Sequence, residues 1–205
     1  MLRKKQPHLP SHVLIFVEGD TDEVFFRALI NYYALVSTCP LLPCDICNLK
    51  GVTRYSSKLL AKLKNEYLPK ARSNGYRIKT VCCSYDTDVF EVRQPNIVNW
   101  KAIDKCVRRM GIEEFICVGV KSSIEDWILD DLQGICNYLH LKQVPSILKG
   151  TNGYQRITDL YAKAHKIYKK GYETTELIKF LNMQNIRNKR SIILLPLEEA
   201  LGVSL

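Results

Sequence analysis

The chain has 205 residues, 46% hydrophobic and 25% charged, with 30 Lys and Arg against 21 Asp and Glu and a formal net charge of +9. That balance excludes collagen-like, low-complexity and wholly disordered chains and suits one globular domain, alone or with a small appendage. No apolar run approaches the roughly 20 residues that cross a bilayer, and Met1-Leu2-Arg3-Lys4-Lys5 leads into Gln-Pro-His rather than an apolar signal core, so a soluble cytoplasmic protein without a membrane partner is expected.

Val13-Leu14-Ile15-Phe16-Val17 is a short apolar run rich in β-branched residues, which reads as a buried strand, and Glu18-Gly19-Asp20-Thr21-Asp22 breaks it. A helix follows, with Val24, Phe25, Leu29, Tyr32, Tyr33 and Val36 at helical spacing, Thr21 placed to cap, and Asp22 and Glu23 in the first turn where the dipole favours acids. Cys44 to Leu49 reads as a second strand and Tyr55 to Tyr67 as a helix with Leu59, Leu60, Leu63 and Tyr67 inward and Lys58, Lys62 and Lys64 outward. Ile78 to Tyr85 is a third strand, closed by Asp86-Thr87-Asp88. A polar loop through Pro95, a helix from Trp100 to Met110 and a fourth strand from Phe115 to Val120 follow. Ile124, Trp127, Ile128, Leu132, Ile135 and Leu139 mark a further amphipathic helix.

Beyond His140 the texture changes to a loop over Lys149–Gly153, helices near Gln155 to Lys169 and Glu173 to Leu181, and a short ambiguous piece from Ile192 to Leu201. The alternation of strand and helix predicts an α/β fold, a mainly parallel four-stranded sheet flanked by helices, with a helical C-terminal extension packed on it. The division expected is a basic arm over 1–11, the α/β domain over 12–141 and the extension over 142–205. From Lys142 to Arg190 eleven basic residues face three acids, so this segment supplies nearly all of the net positive charge. Such clustering favours a polyanion, here DNA or RNA, as partner, although a solvated helix face is the commoner origin of any one run.

Of the eight cysteines, Cys82, Cys83, Cys106, Cys117 and Cys136 lie in apolar stretches and are expected to be buried free thiols. Cys44-x-x-Cys47 has no second ligand pair to complete a zinc tetrahedron.

In an open parallel sheet the carboxyl ends of the strands share one edge, where ligands bind. Glu18 and Asp22 follow the first strand, Asp86 and Asp88 close the third, and Glu125 and Asp126 open the helix after the fourth. Asp86 and Asp88 stand two apart in an extended segment and can point the same way. Carboxylates brought this close stay ionised when a cation joins them, and hard oxygen donors suit Mg²⁺ or Mn²⁺. The bland readings are turn and capping roles for Glu18 and Asp22, a Ser122-x-x-Glu125 capping box, and solvated positions for Asp130 and Asp131.

Leu14-Ile15-Phe16-Val17-Glu18-Gly19-Asp20-Thr21-Asp22 and Val81-Cys82-Cys83-Ser84-Tyr85-Asp86-Thr87-Asp88 together resemble the two signature segments of the Toprim domain of topoisomerases, bacterial primases, the ribonuclease that matures 5S rRNA and the OLD-family nucleases. The likeness covers roughly residues 12 to 140. The segment from Ser123 to Asp131 is also similar to one in small stand-alone Toprim-like bacterial proteins, many linked to phage defence. The resemblance implies a Rossmann-like fold and a metal-dependent nuclease cutting DNA or RNA. Glu18 would act as ligand or general acid/base, Asp86 and Asp88 as divalent-metal ligands, and Asp22 as a further ligand. Glu125 and Asp126 stay open between capping and metal binding.

Lys50 and Arg54, after the second strand, and Lys163, Lys166, Lys170, Arg187 and Arg190 are the candidate phosphate contacts, the first three of the extension recurring at helical spacing. Val89-Phe90-Glu91 departs from the Gly-containing continuation typical of topoisomerases and primases. No Gly-x-x-x-x-Gly-Lys-Ser/Thr ATPase motif is present, so a separate ATPase or defence-system subunit is a candidate partner, beside a homodimer. Two rival readings remain at this point: a Toprim-fold module that binds or regulates without turnover, and a phosphoryl-handling protein of the receiver type with Lys121 after the fourth strand.

Overall fold

A computed structural model of the chain describes residues 9–88 and 97–205. The expected arm lies largely outside these residues, as do the polar loop through Pro95 and the departure at Val89-Phe90-Glu91. Four strands, β1 (Ser11–Val17), β2 (Cys44–Asn48), β3 (Arg77–Asp86) and β4 (Glu114–Val120), form one all-parallel sheet in the order β2-β1-β3-β4. Helices cover both faces, the layering of a Rossmann-like α/β fold.

The unbroken apolar run of β1 is explained by this double cover. Val13, Ile15 and Val17 face one hydrophobic cluster and Leu14 and Phe16 the other, all of them shut from solvent. The first cluster holds α1 (Asp20–Val36) together with most of the chain beyond β4. Its members there include Trp127, Ile157, Leu160, Leu177, Ile186 and Leu197, so the C-terminal helices share a core with β1 rather than closing one of their own.

The second face carries the helical stretch from Arg54 to Ser73, made of α2 (Arg54–Ser57), α3 (Leu59–Lys62), a single π-helical turn (Leu63–Tyr67) and α4 (Leu68–Ser73), and then α5 (Trp100–Arg109). The π turn runs into Pro69, whose missing N–H interrupts the α-ladder. Leu59 and Leu63 are buried and Lys58 and Lys64 exposed, as the periodicity predicts.

Beyond β4 come α6 (Ile124–Ile128), a 3₁₀ turn, α7 (Leu132–Leu139), α8 (Gly153–Lys163), a second 3₁₀ turn (Tyr172–Thr174), α9 (Thr175–Ile178) and α10 (Met183–Leu201). Several expectations are corrected here. The helix near Gln155–Lys169 is α8 alone and ends at Lys163; residues 164–171 form a non-helical strap, closed by Gly171 at φ 96°. Lys163, Lys166 and Lys170 therefore do not share a helix face. The ambiguous piece from Ile192 is the second half of α10, a helix of 19 residues that runs through Pro196. Pro196 leaves the Ile192 carbonyl without its helical donor, and Ile192 is 88% exposed, so water can serve that carbonyl.

Other expectations shift by a residue or a partner. Gly19, not Thr21, occupies the N-cap of α1, and Thr21 instead accepts a hydrogen bond from the Gly171 amide at 2.8 Å. Ser123, not Ser122, occupies the N-cap position of α6, and its hydroxyl donates to Asp126 Oδ2 at 3.0 Å rather than accepting from a backbone amide, so the expected Ser122–Glu125 box is absent. Asp131 is buried rather than solvated and accepts from the Asn182 amide, while Asp130 pairs with Arg190. Cys117 is exposed and Cys106 half-buried, because β4 is an edge strand and the outer side of α5 meets solvent. All eight cysteines are free.

A candidate acidic site at the carboxyl rim of the sheet

From β1 the chain runs outward to β2 on one side and returns to β3 on the other, so the rim between β1 and β3 is the point where strand order reverses and a crevice opens. Glu18 follows β1 directly and Asp86 is the last residue of β3. The Asp86 amide donates to Glu18 Oε2 at 3.3 Å, which turns the Glu18 carboxylate toward the end of β3. Asp22, in the first turn of α1, and Glu125, in the first turn of α6, complete the floor. These four acids line a cavity of about 420 Å³ together with Asp20, Lys50, Gly51, Lys170 and Gly171.

Asp22 is 5% exposed and Glu125 not at all. Burial and mutual repulsion act together on the acids. Loss of hydration, then the charges of Asp22, Glu18, Glu125 and Asp88, push Asp86 up to about 9. Loss of hydration, followed by the Glu18 charge, raises Asp22 to about 7, and burial raises Glu18 as well. Near neutrality, without added positive charge, Asp86 therefore keeps its proton.

Part of the compensating charge is supplied by the strap. Lys170 Nζ stands 2.9 Å from Glu125 Oε1, and the Tyr168 hydroxyl lies 3.3 Å from the same oxygen. The sequence places Lys170 among surface phosphate contacts; the fold brings it to the acids. Gly171, directly after the lysine, ends the strap at positive φ, a turn that the sequence alone does not connect to the acids.

Asp88 is exposed just beyond β3, with its amide bonded to the Ser122 carbonyl, and its charge acts on both Glu18 and Asp86. Asp126 is turned away from the cavity, toward Ser123 and Arg156. Lys50 lines the cavity and pairs with Asp20, and Arg54 donates to the Leu49 carbonyl at 3.2 Å. Lys163 pairs with Asp159 on its own helix, and Lys166 sits over the Tyr138 ring. Arg187 makes a two-pronged contact with buried Glu198, and Arg190 binds Asp130 and stacks over Trp127. Both guanidinium groups thus hold the fold together. Lys121 is exposed and does not line the cavity.

Among the described residues no group of three or more His, Cys, Asp and Glu side chains is drawn together around a single ion position. The donor chemistry nevertheless fits a hard divalent cation. Asp22 Oδ1, Asp86 Oδ1 and Glu125 Oε2 are buried oxygens with no hydrogen-bond partner, and such an oxygen is satisfied by a proton or a cation. No family model matches this sequence, and neither curated proteins nor solved structures yield a similar chain. Among the described residues no helix is long and apolar enough to cross a membrane.

Proposed function

We propose that the chain is a Mg²⁺- or Mn²⁺-dependent nuclease of the Toprim kind, hydrolysing phosphodiester bonds of DNA or RNA at the carboxyl rim of its sheet. One observation carries this reading: four buried or half-buried carboxylates from three separate chain segments line one open cavity, and three of them present buried oxygens that no donor satisfies. Unsatisfied buried carboxylates cost folding energy, and function is the usual return on such strain.

Glu18, Asp22, Asp86 and Glu125 would hold the metal, with the charge of exposed Asp88, which does not line the cavity, acting on Glu18 and Asp86. Bound there, a divalent ion supplies Lewis-acid polarisation of the phosphate and lowers the pKa of a bound water. Glu18 is oriented by the Asp86 amide, and burial raises its pKa above the ordinary carboxylate value, which makes it the candidate general acid or base. Lys170 and Lys50 bring ammonium groups to the cavity wall, where each can meet a non-bridging phosphate oxygen.

The test is hydrolysis of single- and double-stranded DNA and RNA with Mn²⁺ or Mg²⁺, comparing the wild-type chain with Glu18→Gln and Asp86→Asn. Metal-dependent cleavage abolished in both variants is the expected result. Cleavage that survives both substitutions would falsify the proposed site. One observation favours a second reading, a Toprim-fold binding or regulatory subunit: the Lys170–Glu125 pair already offsets part of the acidic charge, with no closed metal cage among the described residues. Nucleic-acid binding without turnover under any of these metals selects that reading.

A further inference from the structure

Two exposed tyrosine rings lie beside the cavity, each facing one of its lysines. Toward the β2 end of the rim, Lys50 Nζ sits 5.3 Å from the centre of the Tyr172 ring, and the Tyr172 hydroxyl donates to Glu23 at 3.0 Å. Toward the β4 end, Lys170 Nζ sits 5.0 Å from the centre of the Tyr154 ring. Tyr172 remains 56% exposed and Tyr154 42% exposed, whereas Tyr161 and Tyr168 of the same region are buried. Tyr154 touches the buried Tyr168 ring, 5.8 Å between centres, yet both outer rings keep open area beyond their packing contacts.

Their placement is built rather than incidental. Tyr154 stands in the first turn of α8, beside Gly153, where an added Cβ would lie 2.6 Å from the Asp126 amide nitrogen. This glycine lets the start of α8 press against the start of α6, which carries Glu125. Tyr172 directly follows Gly171, whose amide is tied to Thr21 in the first turn of α1. Both rings are thus fixed to segments that also shape the acidic floor.

We propose that Tyr154 and Tyr172 are base-stacking platforms and that the rim takes single-stranded nucleic acid, its phosphates led past Lys50 and Lys170 and its bases laid on the two rings. The inference rests on the nuclease reading for the identity of the polyanion and narrows its substrate to unpaired strands. The physical reason is access: in a duplex each base face is covered by its neighbours, while a single strand can splay its bases onto an exposed ring beside a lysine that holds the phosphate. Stacking on an aromatic ring tolerates any base, so little sequence preference is expected.

The experiment separates binding from turnover. Affinity for a fluorescein-labelled 20-nucleotide oligothymidine and for a 20-base-pair DNA duplex is measured by anisotropy in Ca²⁺, for the full chain and for Tyr154→Ala, Tyr172→Ala and the two Tyr→Phe variants, with melting curves as the check on folding. The expected result is tighter binding of the single strand than of the duplex. Each alanine variant should lose about fivefold to a hundredfold for the single strand, with duplex affinity unchanged and the phenylalanine variants close to wild type. Equal losses for both ligands, no loss in folded alanine variants, or no binding of oligothymidine overturns the proposal. Tyrosine-dependent binding without cleavage in Mn²⁺ sinks the nuclease reading and leaves the platforms standing; cleavage with tyrosine-independent binding does the reverse.

Discussion

Lys170 and Glu125 meet at 2.9 Å, the carboxylate fully buried and the ammonium group half in solvent. The pair ties the strap over 164–171 to the first turn of α6, and the Thr21–Gly171 bond ties the same strap to α1. Removing the cation alone leaves a buried carboxylate with less compensation, which is costly, whereas removing both charges is tolerated better. Lys170→Met is expected to lower stability by about 1–3 kcal/mol, below the full penalty of a buried pair because its head is partly solvated. Adding Glu125→Gln should recover part of that loss. Urea unfolding of both single variants and the double variant gives the coupling; a Lys170→Met protein as stable as wild type would show that the strap is held by other contacts.

The acids at the rim give the stability a definite dependence on pH. An acid whose pKa is higher in the folded than in the unfolded chain binds its proton more tightly when folded, so folding is favoured where the proton is on. That advantage erodes as pH rises from the unfolded value, 3.8 for Asp, through the folded values of about 7 for Asp22 and about 9 for Asp86. Without divalent ions, melting temperature should therefore fall from about pH 5 to about pH 9, once the contribution of groups elsewhere is subtracted with the Asp86→Asn variant. Mn²⁺ or Mg²⁺ should restore stability, and more at pH 8 than at pH 5, because the ion competes with those protons. Melting curves with and without EDTA across this range check the prediction, and a metal effect independent of pH contradicts it.

Asp86→Asn should separate stability from activity. Near neutral pH the folded chain must take up a proton on Asp86 that the unfolded chain lacks, whereas an amide folds without one, so the variant is expected to gain about 1–3 kcal/mol there, with little gain near pH 4 where the unfolded chain holds much of that proton too. The same change should abolish the metal-dependent reaction proposed for the site. Paired urea melts at pH 4 and pH 7.5 decide this, and a destabilised variant at pH 7.5 would argue that the Asp86 carboxylate is held by contacts other than repulsive ones.

The strands and the rim were legible because their signals are local. Val13–Val17 can only be a strand covered on both faces, and the carboxyl ends of parallel strands must share an edge, so Glu18 and Asp86 converge as soon as the sheet is parallel. Glu125 was open between a cap and a ligand; Ser123, two residues before it, occupies the N-cap position, and Glu125 lies buried on the cavity floor. The strap was not legible. Lys163, Lys166 and Lys170 have the spacing of one helix face, and nothing in that spacing reports that α8 ends at Lys163 or that Lys170 folds back onto an acid on α6. Arg187 and Arg190 were misleading for a related reason, since a basic run looks the same whether its partners are phosphates or distant carboxylates of the chain itself.

Arg187 offers a direct test of that distinction. Its Nε and Nη2 lie 2.8 and 2.7 Å from the two oxygens of Glu198, which is 4% exposed, and the Tyr33 hydroxyl donates to the same carboxylate at 2.7 Å. The network joins α1 to α10 beneath the surface. Arg187→Ala would leave Glu198 with only the tyrosine, and a charge stranded in this way typically costs about 3–5 kcal/mol; the guanidinium is 24% exposed, so about 2–4 kcal/mol is expected. A phosphate contact behaves differently, since its loss weakens binding at every sequence and lowers the salt slope by about one unit. The folded fraction of Arg187→Ala should bind nucleic acid with unchanged affinity and unchanged salt slope while unfolding at lower urea. A reduced slope in a variant of wild-type stability would return Arg187 to the binding surface and remove it from the core of the fold.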